Sequence, residues 1–282
     1  GGVGKCIAEW IIDGEPSIDV WAMDVARFGD YASPQYGTIK SSENYERRFI
    51  MTFPNETLPK GRKQKTTALY DRFVNQGAVM GDSFGLENVL WFANNKEDAH
   101  EEPTIKRSRS HDYVSKEVIN VRENVGLIEV ANFSKHEFKG PDARKFLDHI
   151  MAGRLPKPGR ISLSPMLSYR GKLCGDLTVA CLDENEFMVF GSGAAQEMHR
   201  RWFESHIDKF NLSYSNRSDE YHGLSIAGPN SRKVLEKIVR DDVSNEKFKF
   251  RDSRRMFVGG VPAIINRISF TGELGYEIYV AP

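Results

Sequence analysis

Phe138-Lys-Gly-Pro-Asp-Ala-Arg-Lys-Phe-Leu-Asp-His-Ile150 and Ile226-Ala-Gly-Pro-Asn-Ser-Arg-Lys-Val-Leu-Glu-Lys-Ile238 read as one unit written twice. Gly140 and Gly228 stand 88 positions apart, and the residue classes between each glycine and the closing isoleucine match in register. Each copy predicts a strand ending in Gly. Pro follows in the first helical turn, where its missing N–H costs nothing, and then a helix with Leu and Ile at inward spacing. Two strand–helix copies predict a pseudo-duplicated α+β domain. The repeat speaks to architecture and carries no chemistry of its own.

Between the copies lies Gly171-Lys-Leu-Cys-Gly-Asp-Leu-Thr-Val-Ala-Cys181, which alternates as a half-buried strand does. Leu173, Leu177, Val179 and Cys181 fall on one face; Cys174, Asp176 and Thr178 fall on the other. A carboxylate in such a strand is costly to bury unless paired. Asp176 therefore either faces water, meets a cation, or is aimed into a site from a rigid element. Arg170-Gly171 is a turn leading into this strand. Asp183-Glu-Asn joins it to Glu186–Phe190 in a hairpin-like connection, and Gln196–Phe210 is amphipathic at helical spacing. After the second copy, Pro262–Phe270 is predicted as a strand, Thr271–Gly275 as a turn and Tyr276–Val280 as the partner strand. Glu277 and Tyr279 then share one face of that partner. Glu277 either accepts hydrogen bonds from a ligand or pairs with a cation such as Arg267.

Outward from this centre the signals thin. Leu69–Phe73, and Ser115–Asn124 followed by a strand over Gly126–Ala131, are predicted as regular elements, whereas Ala78–Glu87 reads as an irregular glycine-punctuated segment. Arg47–Lys65 reads as a connector whose basic run, Lys60–Lys65, is a solvated surface. Trp21–Tyr45 shows little periodicity. Gly1-Gly-Val-Gly4 leads into a helix over Lys5–Ile12 that stops at Asp13-Gly-Glu-Pro16. A glycine-rich approach to a helix suits an anion or an electron-rich ring, and it is equally a plain turn. The chain opens without Met and stops just after a strong strand, and is expected to be a piece of a longer polypeptide.

The 282 residues carry 39 basic and 39 acidic side chains, enough chain for a proper core and too balanced a charge for a phosphate-tracking nucleic-acid binder. No apolar run approaches the ~20 residues that span a bilayer. No nucleic-acid or membrane partner is expected. Three cysteines at 6, 174 and 181 form no metal-type pair and fit a reducing compartment. Asp176, Thr178, Phe270, Tyr279 and Glu277 together would suit a flat, hydrogen-bonding heterocycle, with the carboxylate on an amino-pyrimidine edge and aromatics over its faces.

Four stretches carry a family resemblance: Phe-Thr-Gly-Glu-Leu-Gly-Tyr-Glu-Ile-Tyr (270–279), Lys-Gly-Pro-Asp-Ala (139–143), Gly-Lys-Leu-Cys-Gly-Asp-Leu-Thr-Val (171–179) and Gly-Ala-Val-Met-Gly-Asp-Ser-Phe-Gly-Leu-Glu (77–87). Together they resemble the folate-binding module of dimethylglycine and sarcosine dehydrogenases, itself similar to the glycine-cleavage T-protein, an aminomethyltransferase. Gly-Gly-Val-Gly-Lys with Ala8-Glu-Trp-Ile-Ile-Asp-Gly-Glu-Pro16 looks like the last part of the flavin domain of those proteins.

The resemblance implies a T-protein-like α+β fold: residues 1–22 ending an FAD-dependent oxidoreductase domain, 23–65 a central connector, and 66–282 a folate-binding domain incomplete at its C-terminus. It implies a bifunctional enzyme in which FAD oxidises an N-methyl amine and tetrahydrofolate takes the one-carbon unit, giving methylenetetrahydrofolate. An electron acceptor for the flavin is an expected partner, in the cytoplasm or, in a eukaryote, the mitochondrial matrix. By position Asp176 matches the family's active-site acid, Thr178 a folate-contacting threonine, Glu277 the glutamate on the pterin edge, Phe270 an aromatic against the ring, and Phe190 and Gly191 a loop meeting the pterin through its backbone. Gly1, Gly2 and Gly4 match flavin-contacting positions of the complete protein. Phe270 lacks the hydroxyl a tyrosine would bring, Ser192 stands where T-proteins tend to have Asn, and Leu163 lies near where they have Tyr. Two rival readings share the fold: a non-catalytic regulatory subunit of pyruvate dehydrogenase phosphatase type, and a tetrahydrofolate-dependent demethylase of another methyl donor.

Overall fold

A computed structural model describes residues 1–54 and 56–282; Asn55, inside the predicted connector, lies outside the described residues. Helix α1 (Gly2–Asp13) ends where Gly14 turns left-handed at φ 81°. Its span corrects the predicted glycine loop: Gly2 and Gly4 are helical, and α1 begins at the glycines rather than after them. Helix α2 (Pro34–Glu46) was not anticipated, although Ser33 caps it by accepting from Tyr36 N–H and Pro34 occupies its first turn.

Helix α3 (Tyr70–Asn75) leads into strands β1 (Ala78–Ser83) and β2 (Leu86–Phe92). These pair as an antiparallel hairpin around Phe84 and Gly85, both at positive φ, so the segment read as irregular is a two-residue turn between strands. Helix α4 (Ser110–Glu123) starts five residues earlier than its periodicity predicts, and is followed by β3 (Gly126–Glu129). The first copy supplies β4 (Ser134–Lys139) and α5 (Ala143–Ile150). Then come β5 (Arg160–Leu167), β6 (Leu173–Asp183), β7 (Glu186–Gly191), α6 (Gln196–Glu204) and β8 (Ser213–Asn216). The second copy gives β9 (His222–Ala227) and α7 (Ser231–Leu235), and β10 (Ser253–Val258), β11 (Val261–Asn266) and β12 (Gly275–Val280) complete the chain.

Two five-stranded antiparallel sheets result, ordered β10-β11-β12-β9-β3 and β5-β6-β7-β4-β8. Each copy of the repeat places its strand inside one sheet and its helix over that sheet's core. Phe138, Phe146, Leu147, Phe187 and Phe203 fill one core; Leu235, Phe248, Ile265 and Tyr276 fill the other. A smaller cluster, Ile161, Met188, Phe190, Ile264 and Tyr279, joins the two sheets.

The copies are not equal. Helix α5 buries Phe146, Leu147 and Ile150, whereas α7 is five residues long and Ile238, predicted inward, is exposed. In both, the proline precedes the helix in a turn rather than opening it. The predicted helix 196–210 stops at Glu204, and the strand 262–270 stops at Asn266, leaving Phe270 on a loop.

The run Lys60–Lys65 is also more than a solvated surface. Arg62 pairs with the buried Glu87 of β2, and Lys65 pairs with Asp219 at 2.8 Å. The segment after α1 also reaches the later part of the chain: Arg170 meets Glu15 at 2.6 Å and Arg201 meets Asp24 at 3.3 Å.

Gly228 closes the strand of the second copy at φ 121°, where a Cβ would come within 2.5 Å of the carbonyl oxygens of Asn124 and Val121. Gly37 lies inside α2 with nothing within 4 Å of such a Cβ. Gly228→Ala is expected to destabilise by about 2 kcal/mol or more, and Gly37→Ala to stabilise by about 0.5–1 kcal/mol. Chemical denaturation of both variants measures the opposite signs.

Candidate functional site

The mouth between the two sheets is a cleft of about 550 Å³. The structure brings six predicted residues together on its walls: Asp176, Thr178, Phe190, Gly191, Phe270 and Glu277. Strand β6 supplies Asp176 and Thr178, and β7 supplies Phe190 and Gly191. Thr178 is the cross-strand partner of Leu163 on one side and Phe190 on the other. Asp176 is exposed on the lining of the cleft, so its face of β6 meets solvent there, and no cation pairs with it among the described residues. Leu173, predicted inward, is exposed, because the β5–β6 register shifts between Met166 and Leu167, next to its pairing position.

Glu277 enters from β12 of the other sheet and is buried at 7% exposure. Its Oε2 accepts from Tyr279 Oη at 2.8 Å, while Oε1 takes part in no hydrogen bond among the described residues. Arg267 is not its partner: that guanidinium donates to Phe248 O and Asn245 Oδ1. Burial raises the Glu277 carboxyl above its usual range, no cation among the described residues counters it, and the Tyr279 hydroxyl only partly offsets it. Tyr279 stacks on Phe190 with centroids 4.3 Å apart and planes 24° from parallel.

Gly191 has a steric reason to be glycine. A Cβ there would meet Leu177 Cδ2 at 2.6 Å and Ser134 Oγ at 3.1 Å. Phe270 stands at the lip, 92% exposed. Ser192 and Leu163, two positions where the family pattern departs, also line the cleft.

Several lining residues carry no expectation as site residues. Phe84 at the β1–β2 turn, Lys65, Asp219 and the segment Ala131-Asn132-Phe133 complete the walls. Phe84 gave little signal, because Phe-Gly is not among the dipeptides that mark a two-residue hairpin turn and a positive φ is unusual for an aromatic residue. Asp219 and Lys65 lie 154 positions apart and no local signal links them.

Around Gly1, Gly2 and Gly4 there is no cradle: a Cβ at any of the three would meet nothing within 4 Å. These residues of the chain alone therefore enclose no flavin site. The sheet cleft does fit a flat heterocycle. It has a buried carboxylate with one oxygen unclaimed, exposed apolar side chains at Leu163 and Phe270, and a glycine where a larger residue would not fit.

The raised carboxyl has a signed consequence for stability. A carboxyl whose pKa is higher in the folded than in the unfolded chain stabilises the fold below its ordinary value near 4.5, and that contribution is lost as pH rises through the folded value. Glu277→Gln keeps the acceptor for Tyr279 and removes the charge. It is expected to raise the melting temperature at pH 7–8 and to change it little near pH 4. A melting temperature at pH 7–8 equal to or below wild type contradicts this.

Residues 69–282 match the family described as the GCVT N-terminal domain, and residues 13–67 match the FAD dependent oxidoreductase central domain. Human mitochondrial dimethylglycine dehydrogenase is 35% identical over 99% of this chain and 32% of its own length. Human mitochondrial sarcosine dehydrogenase is 27% identical over 99% of this chain and 35% of its own. The chain thus spans about a third of these relatives. The crystal structure of glycine cleavage system aminomethyltransferase T from Bartonella henselae superposes with a TM-score of 0.63 at 22% identity, over 77% of this chain and 54% of that one, and shows the same fold. No described helix is long and apolar enough to cross a membrane. From residue 69 onward the chain belongs to the GCVT N-terminal domain family, joined to an FAD dependent oxidoreductase central domain as in the dimethylglycine and sarcosine dehydrogenases.

Proposed function

We propose that the cleft binds tetrahydrofolate, and that the chain is part of an FAD-dependent N-methyl amine dehydrogenase of dimethylglycine or sarcosine type. The carrying observation is Glu277: a buried carboxylate with no cation partner among the described residues, one oxygen bonded to Tyr279 and the other left for the cleft. An amino-pyrimidine edge offers two parallel N–H donors, one for the free Oε1 and one for the remaining lone pair of Oε2, and the charge assistance makes those bonds strong. Donation from the ligand would also draw the carboxyl back toward its ionised form. Phe190 and Gly191 border the ring, Thr178 offers a hydroxyl beside it, and Phe270 covers it from the lip.

Asp176 is the proton-handling group in this reading. Its position on β6, open to the cleft and separate from the buried Glu277, lets it stay wet while Glu277 holds the ligand. It acts as acid or base on the folate nitrogen or the departing amine, provided the ligand brings that nitrogen within hydrogen-bond reach. The flavin, when bound, supplies the oxidation of the N-methyl amine. The products of the complete protein would be 5,10-methylenetetrahydrofolate and the demethylated amine, with an electron acceptor as a further partner. Residues 1–22 are read as the end of the flavin region, 23–65 as the connector and 66–282 as the folate module. The mitochondrial names of both relatives support a matrix location in a eukaryote.

The test uses the full-length protein. Asp176→Ala is expected to spare amine oxidation, followed with an artificial electron acceptor, while cutting methylenetetrahydrofolate formation by about 10²-fold or more and releasing formaldehyde. Glu277→Ala is expected to weaken tetrahydrofolate binding about tenfold or more by calorimetry. Normal folate product from the Asp176 variant removes its role. Absence of tetrahydrofolate binding in the wild type removes the whole assignment and favours a regulatory protein of the same fold.

A further inference from the structure

Lys135 is the most deeply placed cation among the described residues, fully buried on β4 with no carboxylate at ion-pair distance. Its ammonium instead donates to three backbone carbonyls: Ala131 O at 2.8 Å, Phe133 O at 2.7 Å and Ser218 O at 3.3 Å. Three donors meet three acceptors, so the group is fully satisfied without a counter-ion. Those carbonyls belong to two segments far apart in the chain, 131–133 and 218–219, and both segments line the cleft.

The main chain of Lys135 adds to the same junction. Its N–H donates to Ser218 Oγ at 2.9 Å, its carbonyl accepts from Arg217 N–H at 2.7 Å, and in the sheet it stands opposite Phe190. One residue therefore fastens the cleft's two irregular wall segments to the strand that carries Phe190 and Gly191. A buried ammonium is an expensive way to tie loops unless the tie itself is needed.

From this geometry we infer that Lys135 is a positioning residue: its ammonium locks segments 131–133 and 218–219 into one rigid wall and so sets the shape of the cleft presented to folate. The inference rests on the folate reading only for the ligand's identity; the wall itself is a property of the chain. Burial, the largest influence, lowers the Lys135 ammonium to about 8. The charged and titratable groups facing it are Asp219 and Lys65 at the rim, Glu129 on β3, His222 on β9 and His136 on its own strand. Burial holds both imidazoles below their usual value, so they stay neutral through the interval in which Lys135 changes charge. Above about 8 the amine loses its charge and one of its three donors.

Lys135→Met keeps the apolar stem and removes every donor. In the full-length protein, amide hydrogen exchange at pH 7 is expected to show protection in 131–134 and 217–219 reduced about tenfold, with β10 and β11 unchanged. Calorimetric affinity for tetrahydrofolate is expected to fall about tenfold in the variant. In wild type the affinity is expected to decline as pH rises through about 8, and in the variant that decline is absent. Unchanged protection of both segments, or an equal loss in β10 and β11, overturns the inference, as does the same pH profile in both proteins. Should the variant fail to fold, the wild-type profile decides alone: an affinity level from pH 7 to 9 overturns it. Should wild type bind no tetrahydrofolate, the folate assignment fails, and the exchange pattern still decides whether Lys135 holds the wall.

Discussion

The ring of Phe190 lies on the ring of Tyr279, and through that pair two separately cored sheets become one body with a cleft at their junction. Such a stack contributes about 0.5–1.5 kcal/mol beyond the area it buries. Its larger effect is geometric. Phe190 precedes Gly191 on β7, and Tyr279 lies two residues beyond Glu277 on β12, so the contact that joins the sheets also sets the distance between the two walls. The Tyr279 hydroxyl then reaches Glu277, and burial deprives both groups of water. Structural and chemical roles thus share the same few side chains.

The duplicated strand–Gly-Pro–helix unit explains why there are two walls at all. Each copy contributes a central strand, β4 or β9, to its own sheet, and each carries a helix over its own core. The chemistry-bearing residues are not in the repeat. They lie on β6, β7 and β12, strands adjacent to or near the repeated ones, and on the irregular segments that bridge the gap. Duplication supplies a frame with a seam, and the unduplicated parts furnish the seam.

How much of this was legible in the sequence follows the range of each interaction. The alternation around Asp176 located its strand and face, because period two is a local property; it could not tell a wet face from a buried one, which depends on what the opposite sheet covers. Glu277 shares the expected face with Tyr279, yet the sequence offers Arg267 as its partner and does not single out the Tyr279 hydroxyl. The loop from Arg267 to Leu274 decided otherwise by carrying the guanidinium toward Asn245 and Phe248. Helix α2 escaped notice since its apolar periodicity is weak and its hold on the rest is polar, through Glu43 to Lys60 N–H. Lys60–Lys65 looked solvated because its partners, Glu87 and Asp219, are 25 and 154 positions away from Arg62 and Lys65. The residues of the cleft were visible through a resemblance spread over the chain; the ties that hold them, Lys135 above all, were not.

Phe270 invites a last consideration. Its ring is 92% exposed at the lip of the cleft, and Leu163, also on the lining, is 61% exposed. Water therefore orders around two apolar surfaces that a flat ligand would cover together. Enclosing them would release that water, worth roughly 25 cal/mol for each Å² removed from solvent. The thermal signature is a negative change in heat capacity on complex formation, so the enthalpy of association would become more favourable with warming while the free energy moved little. The lip of this cleft is thus the part of the molecule whose contribution to affinity is written in solvent rather than in hydrogen bonds.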